Sequence, residues 1–219
     1  MGTIVIDRHD SAVKELGESD PQMNKLIEIV GNVTVSTRPD FFKSLVRSIV
    51  GQQISVQAAS TIFGRLETLF ENRIEPAAIL EVSDEQLRTT GLSRQKIKYL
   101  RDLTAKAYDN TINFNQMNDM DNTSAIKLLT SIKGIGKWTA EMFLIFSLGR
   151  MNVLAVDDIG IQRGAKWLYE VDKSERRRVL LDKKPVWDPH LTIASFYLWE
   201  VVHLGFDKKY QSIDEIKRY

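Results

Sequence analysis

Between Leu128 and Ala140 the chain reads LLTSIKGIGKWTA, with Gly134 and Gly136 bracketing Ile135 where one helical segment ends and the next begins. Glycines at such a junction permit positive φ and let the backbone come close to a ligand. The start of the following helix offers unpaired N–H groups and the positive end of a dipole, which together suit a phosphate. Lys133 and Lys137 add charge on either side, Thr139 stands in the first helical turn, and Ile135 can plug the hairpin onto the core. Such a device grips a phosphodiester backbone without reading bases. The same residues serve equally as a tight helix–helix turn, with glycine present for geometry alone. A second feature lies downstream, where Asp157 and Asp158 precede IGIQRG. An aspartate pair there is most simply an N-cap plus a favourable charge in the first turn. At the rim of a cleft, one of the two carboxylates would instead be a catalytic group.

The segments that must position these residues are helical nearly throughout. Asp20-Pro21 and Asp188-Pro189 each predict an N-cap followed by proline at the first helical position. Ser83 with Gln86 forms a capping-box pattern, and Gly91 ends that short helix. Ser93 then caps RQKIKYLRDLTAKAYDN, where Ile97, Leu100, Leu103, Thr104 and Ala107 recur at helical spacing. Further helices are predicted over FFKSLVRSIVGQQ, SVQAASTIFGRLETLF, TSAIKLLTSI, IGIQRGAKWLYE and PHLTIASFYLWEVVHLG. KWTAEMFLIFSL is apolar on nearly every side, which predicts a helix through the middle of the protein. TIVI and VTVST read as strands, but two short runs are too few to build a sheet. The fold class is therefore all-α. The helix–turn–helix unit around Gly91 has the character of a distant echo of the one around Gly134.

With 219 residues, 43% of them hydrophobic and 27% charged, the chain can bury a core as one domain or as two packed lobes. A net charge of +1 means that any nucleic-acid-binding surface must be local. The absence of cysteine excludes disulfides, thiolate metal sites and a cysteine-held iron–sulfur cluster. His9, His190 and His203 show no zinc-ligand spacing. No apolar run has the length of a membrane span, and MGTIVIDRHDSAV lacks a basic segment followed by a long apolar one. A cytosolic location is expected, or a nuclear one in a eukaryote.

The stretch KGIGKWTAEMFLIFSLGRMNVLAVDDIGIQRG resembles the 3-methyladenine DNA glycosylase II family of the helix-hairpin-helix glycosylase superfamily. The shared pattern is a GIG hairpin, a W-T-A helix start and an aspartate pair opening the next helix. The likeness extends upstream to IVGQQISVQAAS and downstream to PVWDPHLTIASFYLWEV, over residues 37–205. It implies two helical lobes around a cleft, one of residues 37–151 carrying the hairpin and one of residues 1–36 plus 152–219. It also implies base-excision repair by monofunctional hydrolysis of the N-glycosidic bond of alkylated purines, after base flipping. Asp158, twenty residues beyond Trp138, falls in the register of the family's catalytic aspartate, which leaves Asp157 as the helix cap.

Trp138 and Trp199 occupy family base-pocket positions. Tyr197 and Phe143 are nearby pocket candidates for which core packing is the simpler account, and Trp167 and Trp187 read as structural. GQQIS sits where family members insert a wedge into the duplex, which points to Gln53, with Gln52 beside it; two glutamines at a helix end serve equally as a solvated terminus. The ERRR run from Glu175 and the Lys183-Lys184 pair read as a solvated helix face. The expected partner is duplex DNA carrying alkylated bases, met by a monomer without membrane or nucleotide cofactor. No metal enters the chemistry, although hairpin carbonyls suit a structural monovalent cation.

The chain departs from the family in two ways. It is too short upstream for the β-rich N-terminal domain that some members carry, and it has His190-Leu191-Thr192 where many relatives have aromatic-Arg-Ser. Other readings are a relative acting on uracil, hypoxanthine or mismatched bases, and a non-catalytic hairpin module in which Asp158 is merely a cap.

Overall fold

The computed structural model describes residues 2–216, so residues 1 and 217–219 of the expected second lobe lie outside the described residues. The order is β1 (Gly2–Ile6), α1 (Ser11–Ser19), α2 (Pro21–Val30), β2 (Val33–Thr37), α3 (Phe41–Gly51), α4 (Val56–Leu69), α5 (Pro76–Glu81), α6 (Asp84–Thr89) and α7 (Arg94–Tyr108). It continues with α8 (Asn122–Thr130), α9 (Lys137–Phe146), α10 (Ile159–Leu168), α11 (Arg176–Trp187), α12 (Leu191–His203) and α13 (Phe206–Lys209). The fold is predominantly helical, as its periodicity predicts. Two compact units emerge: the chain up to Thr37 together with the chain from Gly149 onward, and Arg38–Leu148. No helix among the described residues is long and apolar enough to cross a membrane.

In the first unit the two strand-like runs do pair, as an antiparallel ribbon with Ile4 opposite Val35. A two-stranded ribbon is marginal alone; here α1 and α2 join the strands, and Ile6 and Val33 anchor it in the core. Asp20 caps α2 as expected, its Oδ1 accepting from the Gln22 and Met23 N–H groups, with Pro21 at the first position. Its Oδ2 accepts from the Tyr169 hydroxyl (2.7 Å), the Trp187 indole N–H (3.0 Å) and Lys183 Nζ (2.9 Å). Lys183 also lies 4.4 Å from the centre of the Tyr169 ring. It belongs to this buried network, which corrects its reading as part of a solvated face. Trp187 and Trp167 are structural, the latter donating to the Tyr210 carbonyl.

Asp188-Pro189 does not open a helix. The peptide is cis, Asp188 ends α11, and α12 starts at Leu191 after His190. Asp188 accepts from the Asn152 amide instead. A proline after aspartate marks a chain reversal as readily as a first helical turn. Every residue of α12 from Leu191 to Leu198 is buried, making it the helix wrapped most continuously in core. Gly164 makes its packing possible: a Cβ there would stand 2.2 Å from the Leu198 carbonyl oxygen, so α10 and α12 cross backbone to backbone.

In the second unit, Ser83 and Gln86 form the expected capping box, and Ser93 caps α7 through the Lys96 N–H. Leu45, Ile49, Phe63, Leu66, Leu100 and Leu129 are essentially fully buried. α9 is less central than its composition suggests. Ala140, Phe143, Leu144 and Ile145 are buried, but Trp138 is 49% exposed, and Met142 and Phe146 are half-buried.

Candidate active site and nucleic-acid interface

The hairpin lies between α8 and α9. Gly134 has φ +84°, and a Cβ on it would fall 2.3 Å from the Tyr99 ring, so both conformation and packing demand glycine. Gly136 differs. Its φ is −89°, it is the N-cap of α9 with no side chain capping the helix, and a Cβ there would meet nothing within 4 Å. Open space over an uncapped helix start is the geometry an anion needs. Ile135 is buried and secures the loop. Lys133 and Lys137 are exposed beside it, each within 3.6 Å of a carboxylate oxygen, of Asp102 and Glu141 respectively.

Two braces of the hairpin come from distant sequence. Asp102 on α7 accepts from the Lys133 backbone N–H and from Lys106 Nζ. Burial works against the Asp102 charge, but the bonds from Lys106 and Lys133 outweigh it and hold the carboxyl below its usual range. Gln52, expected beside the wedge, donates from Nε2 to the Gly134 carbonyl at 2.7 Å, so its amide is committed to the hairpin. Gln53 is exposed at φ +56°, a left-handed conformation uncommon for a residue with a Cβ. Gln52, Gln53, Trp138 and Thr139 border one open cavity of about 750 Å³ within this unit.

The aspartate pair lies in the other unit, at the start of α10, and here the cap assignment reverses. Asp158 is the N-cap, its Oδ1 accepting from the Ile161 N–H at 2.9 Å. Asp157 lies one residue outside the helix and pairs with Arg177 at 2.8 Å. Asp158 Oδ1 also accepts from the Trp199 indole N–H at 2.9 Å, and the residue is only 9% exposed. Two donors on one oxygen fix how this buried carboxylate is presented. Gly160 makes the approach possible, since a Cβ on it would stand 2.9 Å from Trp199 Cδ1 and 3.1 Å from both Trp199 Nε1 and Asp158 Oδ1. The signal for Gly160 was in the sequence, a glycine two residues beyond the aspartate, but its reason is Trp199.

The remaining aromatic candidates divide. Trp199 is half-buried and tied to Asp158, and Trp138 is exposed in the other unit. Tyr197 is fully buried and donates to the Gly31 carbonyl; burial pushes its phenol up to about 12, so it stays a neutral donor. Phe143 packs with Phe41 and Phe114. Both are core residues and present no face to a ligand. In the departing segment, Leu191 is core where relatives carry arginine, and His190 meets Glu15. The buried Thr192 hydroxyl donates to the Arg150 carbonyl and accepts from the Val153 N–H, pinning the loop that leads to Asp158.

Known proteins share this architecture. The family model described as HhH-GPD superfamily base excision DNA repair protein matches residues 46–187. DNA-3-methyladenine glycosylase 1 of Schizosaccharomyces pombe is 31% identical over 192 residues, which are 85% of this chain and 84% of that protein. A crystal structure of DNA-3-methyladenine glycosidase from Bacillus halodurans superposes with a TM-score of 0.92 at 41% identity, covering 97% of this chain and 98% of that one. The Schizosaccharomyces pombe 3-methyladenine DNA glycosylase in complex with abasic DNA gives 0.75 at 30% identity, covering 89% and 97%. The chain therefore belongs to the HhH-GPD superfamily of base excision DNA repair proteins.

Proposed function

We propose that this protein is a monofunctional DNA glycosylase that hydrolyses the N-glycosidic bond of alkylated purines in duplex DNA. The observation that carries the reading is the buried, doubly anchored carboxylate of Asp158, in a chain whose relatives are named 3-methyladenine glycosylases. A base within a duplex hides its sugar bond, so the nucleotide must first turn out of the stack. A base made cationic by alkylation leaves as a neutral molecule and needs little help from an acid. The transition state then gathers positive charge on the sugar. A carboxylate about 4 Å away stabilises that charge by about 1 kcal/mol in water and about 4 kcal/mol at an effective dielectric of 20. The difference is roughly fivefold against nearly a thousandfold in rate. Burial of Asp158 therefore matters as much as its charge, and the same group can orient the attacking water.

The hairpin takes a backbone phosphate on the uncapped start of α9, with Lys133, Lys137 and Thr139 around it and Ile135 as its anchor. Gln53 is the wedge, held in a left-handed conformation that projects it from the α3–α4 turn, while Gln52 keeps the hairpin in shape. Trp138 offers an exposed indole face, which attracts a cationic base by stacking and cation–π interaction. Trp199 offers its ring alone, because its N–H is bonded to Asp158. The chain acts as a monomer and uses no cofactor in the chemical step. A monovalent cation on the hairpin carbonyls would be structural; the Gly134 carbonyl keeps a second lone pair after accepting from Gln52.

The test is an excision panel with duplexes carrying 3-methyladenine, 7-methylguanine, ethenoadenine, hypoxanthine or uracil. Release of the methylated purines with alkali-labile sites left behind is expected. Release of uracil or hypoxanthine alone would reassign the substrate, and release of nothing would reduce the protein to a binding module.

A further inference from the structure

Gln162 is a buried polar residue that the chemistry proposed above does not use. It stands on α10 four positions beyond Asp158, on the same helix face, and its Nε2 donates to the Val156 carbonyl at 2.7 Å. We propose that Gln162 is a positioning residue for base release: by holding that carbonyl it fixes the turn from which Asp158 enters α10. The inference rests on the glycosylase reading above.

Glutamine is seldom buried, and its amide is costly in a core unless it is hydrogen-bonded. Its neighbours on α10, Ile161, Ala165 and Leu168, are fully buried, so packing alone would suit a leucine at this position. The bond to Val156 supplies the reason for an amide. Val156 is itself buried and lies between α9 and α10 in neither helix nor strand, so its carbonyl has no ladder partner. The chain turns tightly there. The Val156 N–H donates to the Leu154 carbonyl at 3.1 Å, and the Asp158 N–H donates to the Ala155 carbonyl at 2.9 Å. The Gln162 backbone N–H meanwhile donates to the Asp158 carbonyl at 3.0 Å. One residue thus grips the chain both before and after the Asp158 Cα.

The bonds from Ile161 and Trp199 fix the carboxylate; Gln162 fixes the backbone that carries it. Other ties do not replace it. The Asp157–Arg177 pair is half-exposed on both sides and holds weakly, and Thr192 acts farther back, at Val153. Without the Gln162 amide, the peptide between Val156 and Asp157 is free to turn and the carboxylate shifts with it. A misplacement of about 1 Å at a reacting group slows a reaction by about a hundredfold, so a partial loosening should slow it by about tenfold.

The experiment measures single-turnover release of 7-methylguanine by the full chain, beside affinity for the damaged duplex and a thermal melt. Gln162→Met keeps the length of the side chain and removes the donor. Its release rate constant should fall by about tenfold with affinity unchanged. Loss of packing alone would lower the melt and the amplitude of release, not its rate constant. Gln162→Asn keeps an amide that falls about 1.5 Å short of the carbonyl; it should show the same loss and serves if the methionine variant fails to fold. In an Asp158→Asn background the same substitutions should change the residual rate by less than about twofold, because a positioning residue acts only through the group it positions. A wild-type rate constant in the folded Gln162 variants overturns the proposal, and so does an equal loss in both backgrounds. Either result leaves the glycosylase reading intact, whereas failure of the wild type to release any methylated purine removes that reading itself.

Discussion

Gly160→Ala should cripple base release although it strengthens its own helix. The added methyl would sit 2.9 Å from Trp199 Cδ1, where an unstrained carbon pair needs about 3.5 Å. Leu198, next to Trp199, meets Gly164 backbone to backbone, so the α12 backbone has little room to retreat and the indole must move by about 0.6 Å. That displacement takes the 2.9 Å bond between Trp199 Nε1 and Asp158 Oδ1 to the edge of hydrogen-bonding range. A hydrogen bond to a charged group contributes about 1.5–3 kcal/mol. Expressed wholly in the barrier, its loss slows the step by about ten- to a hundredfold. Alanine in place of glycine meanwhile favours a helix by up to about 1 kcal/mol, so gross unfolding is not the expected cause. Single-turnover release of 7-methylguanine, read beside a thermal melt, separates the two effects. Trp199→Phe removes the same N–H without touching α10 and should show a loss of similar size. Wild-type rates in both variants would refute the claim that this bond sets the carboxylate.

Gly136→Ala should weaken binding to damaged and undamaged duplexes alike while leaving the melt unchanged, because the new methyl meets only the space reserved for phosphate; unaltered binding in a filter or anisotropy assay would make the hairpin a mere turn. Gly134→Ala should lower stability as well, through its φ of +84° and the Tyr99 ring. Borohydride added during turnover should trap no protein–DNA adduct, since an imine needs a neutral amine, the Trp138 indole offers none, and Lys137 points about 100° away from it around the helix; an adduct that disappears in Lys137→Ala would contradict this. For Asp20, burial raises the carboxyl's proton affinity, but the bonds from Lys183, Tyr169, Trp187 and Met23 outweigh it and the folded value lies below the usual one. Its contribution is thus complete above the unfolded carboxylate value of about 3.9 and disappears as pH falls through the folded one. Asp20→Asn should cost about 3–5 kcal/mol near neutral pH and flatten the acid limb of a denaturation series, whereas a parallel pH dependence in both proteins would show that the network is not ionic.

Local signals were legible in the sequence because their partners lie within a turn. The Asp20 and Ser93 caps and the Ser83–Gln86 box are bonds between residues two or three apart. The hairpin glycines were legible too, though not their division of labour: Gly134 serves the fold through Tyr99, and Gly136 keeps space open. The Asp157–Asp158 pair shows where local reading fails. A one-residue shift in the helix start exchanges the two roles, and the bond that ties Asp158 to Trp199, 41 residues away, leaves no mark in the residues around the pair. Gln52 misled for the same reason, because its partner Gly134 is 82 residues away and nothing near Gln52 records it. Lys183 looked solvated beside Lys184 until Asp20, far upstream in sequence, supplied its buried partner. The aromatic residues of α12 cannot be sorted by composition, since Tyr197 turns to Gly31 and Trp199 to Asp158 on one apolar helix.

The central claim is that the Asp158 charge drives loss of the base, and Asp158→Asn tests it most directly. Asparagine is an N-cap as good as aspartate, and its carbonyl oxygen can still accept from Ile161 and Trp199, so fold and geometry should survive. Single-turnover release of 7-methylguanine should fall by a hundredfold or more, towards the nearly thousandfold that about 4 kcal/mol represents, with affinity for the damaged duplex nearly unchanged. Release within threefold of wild type would contradict the account.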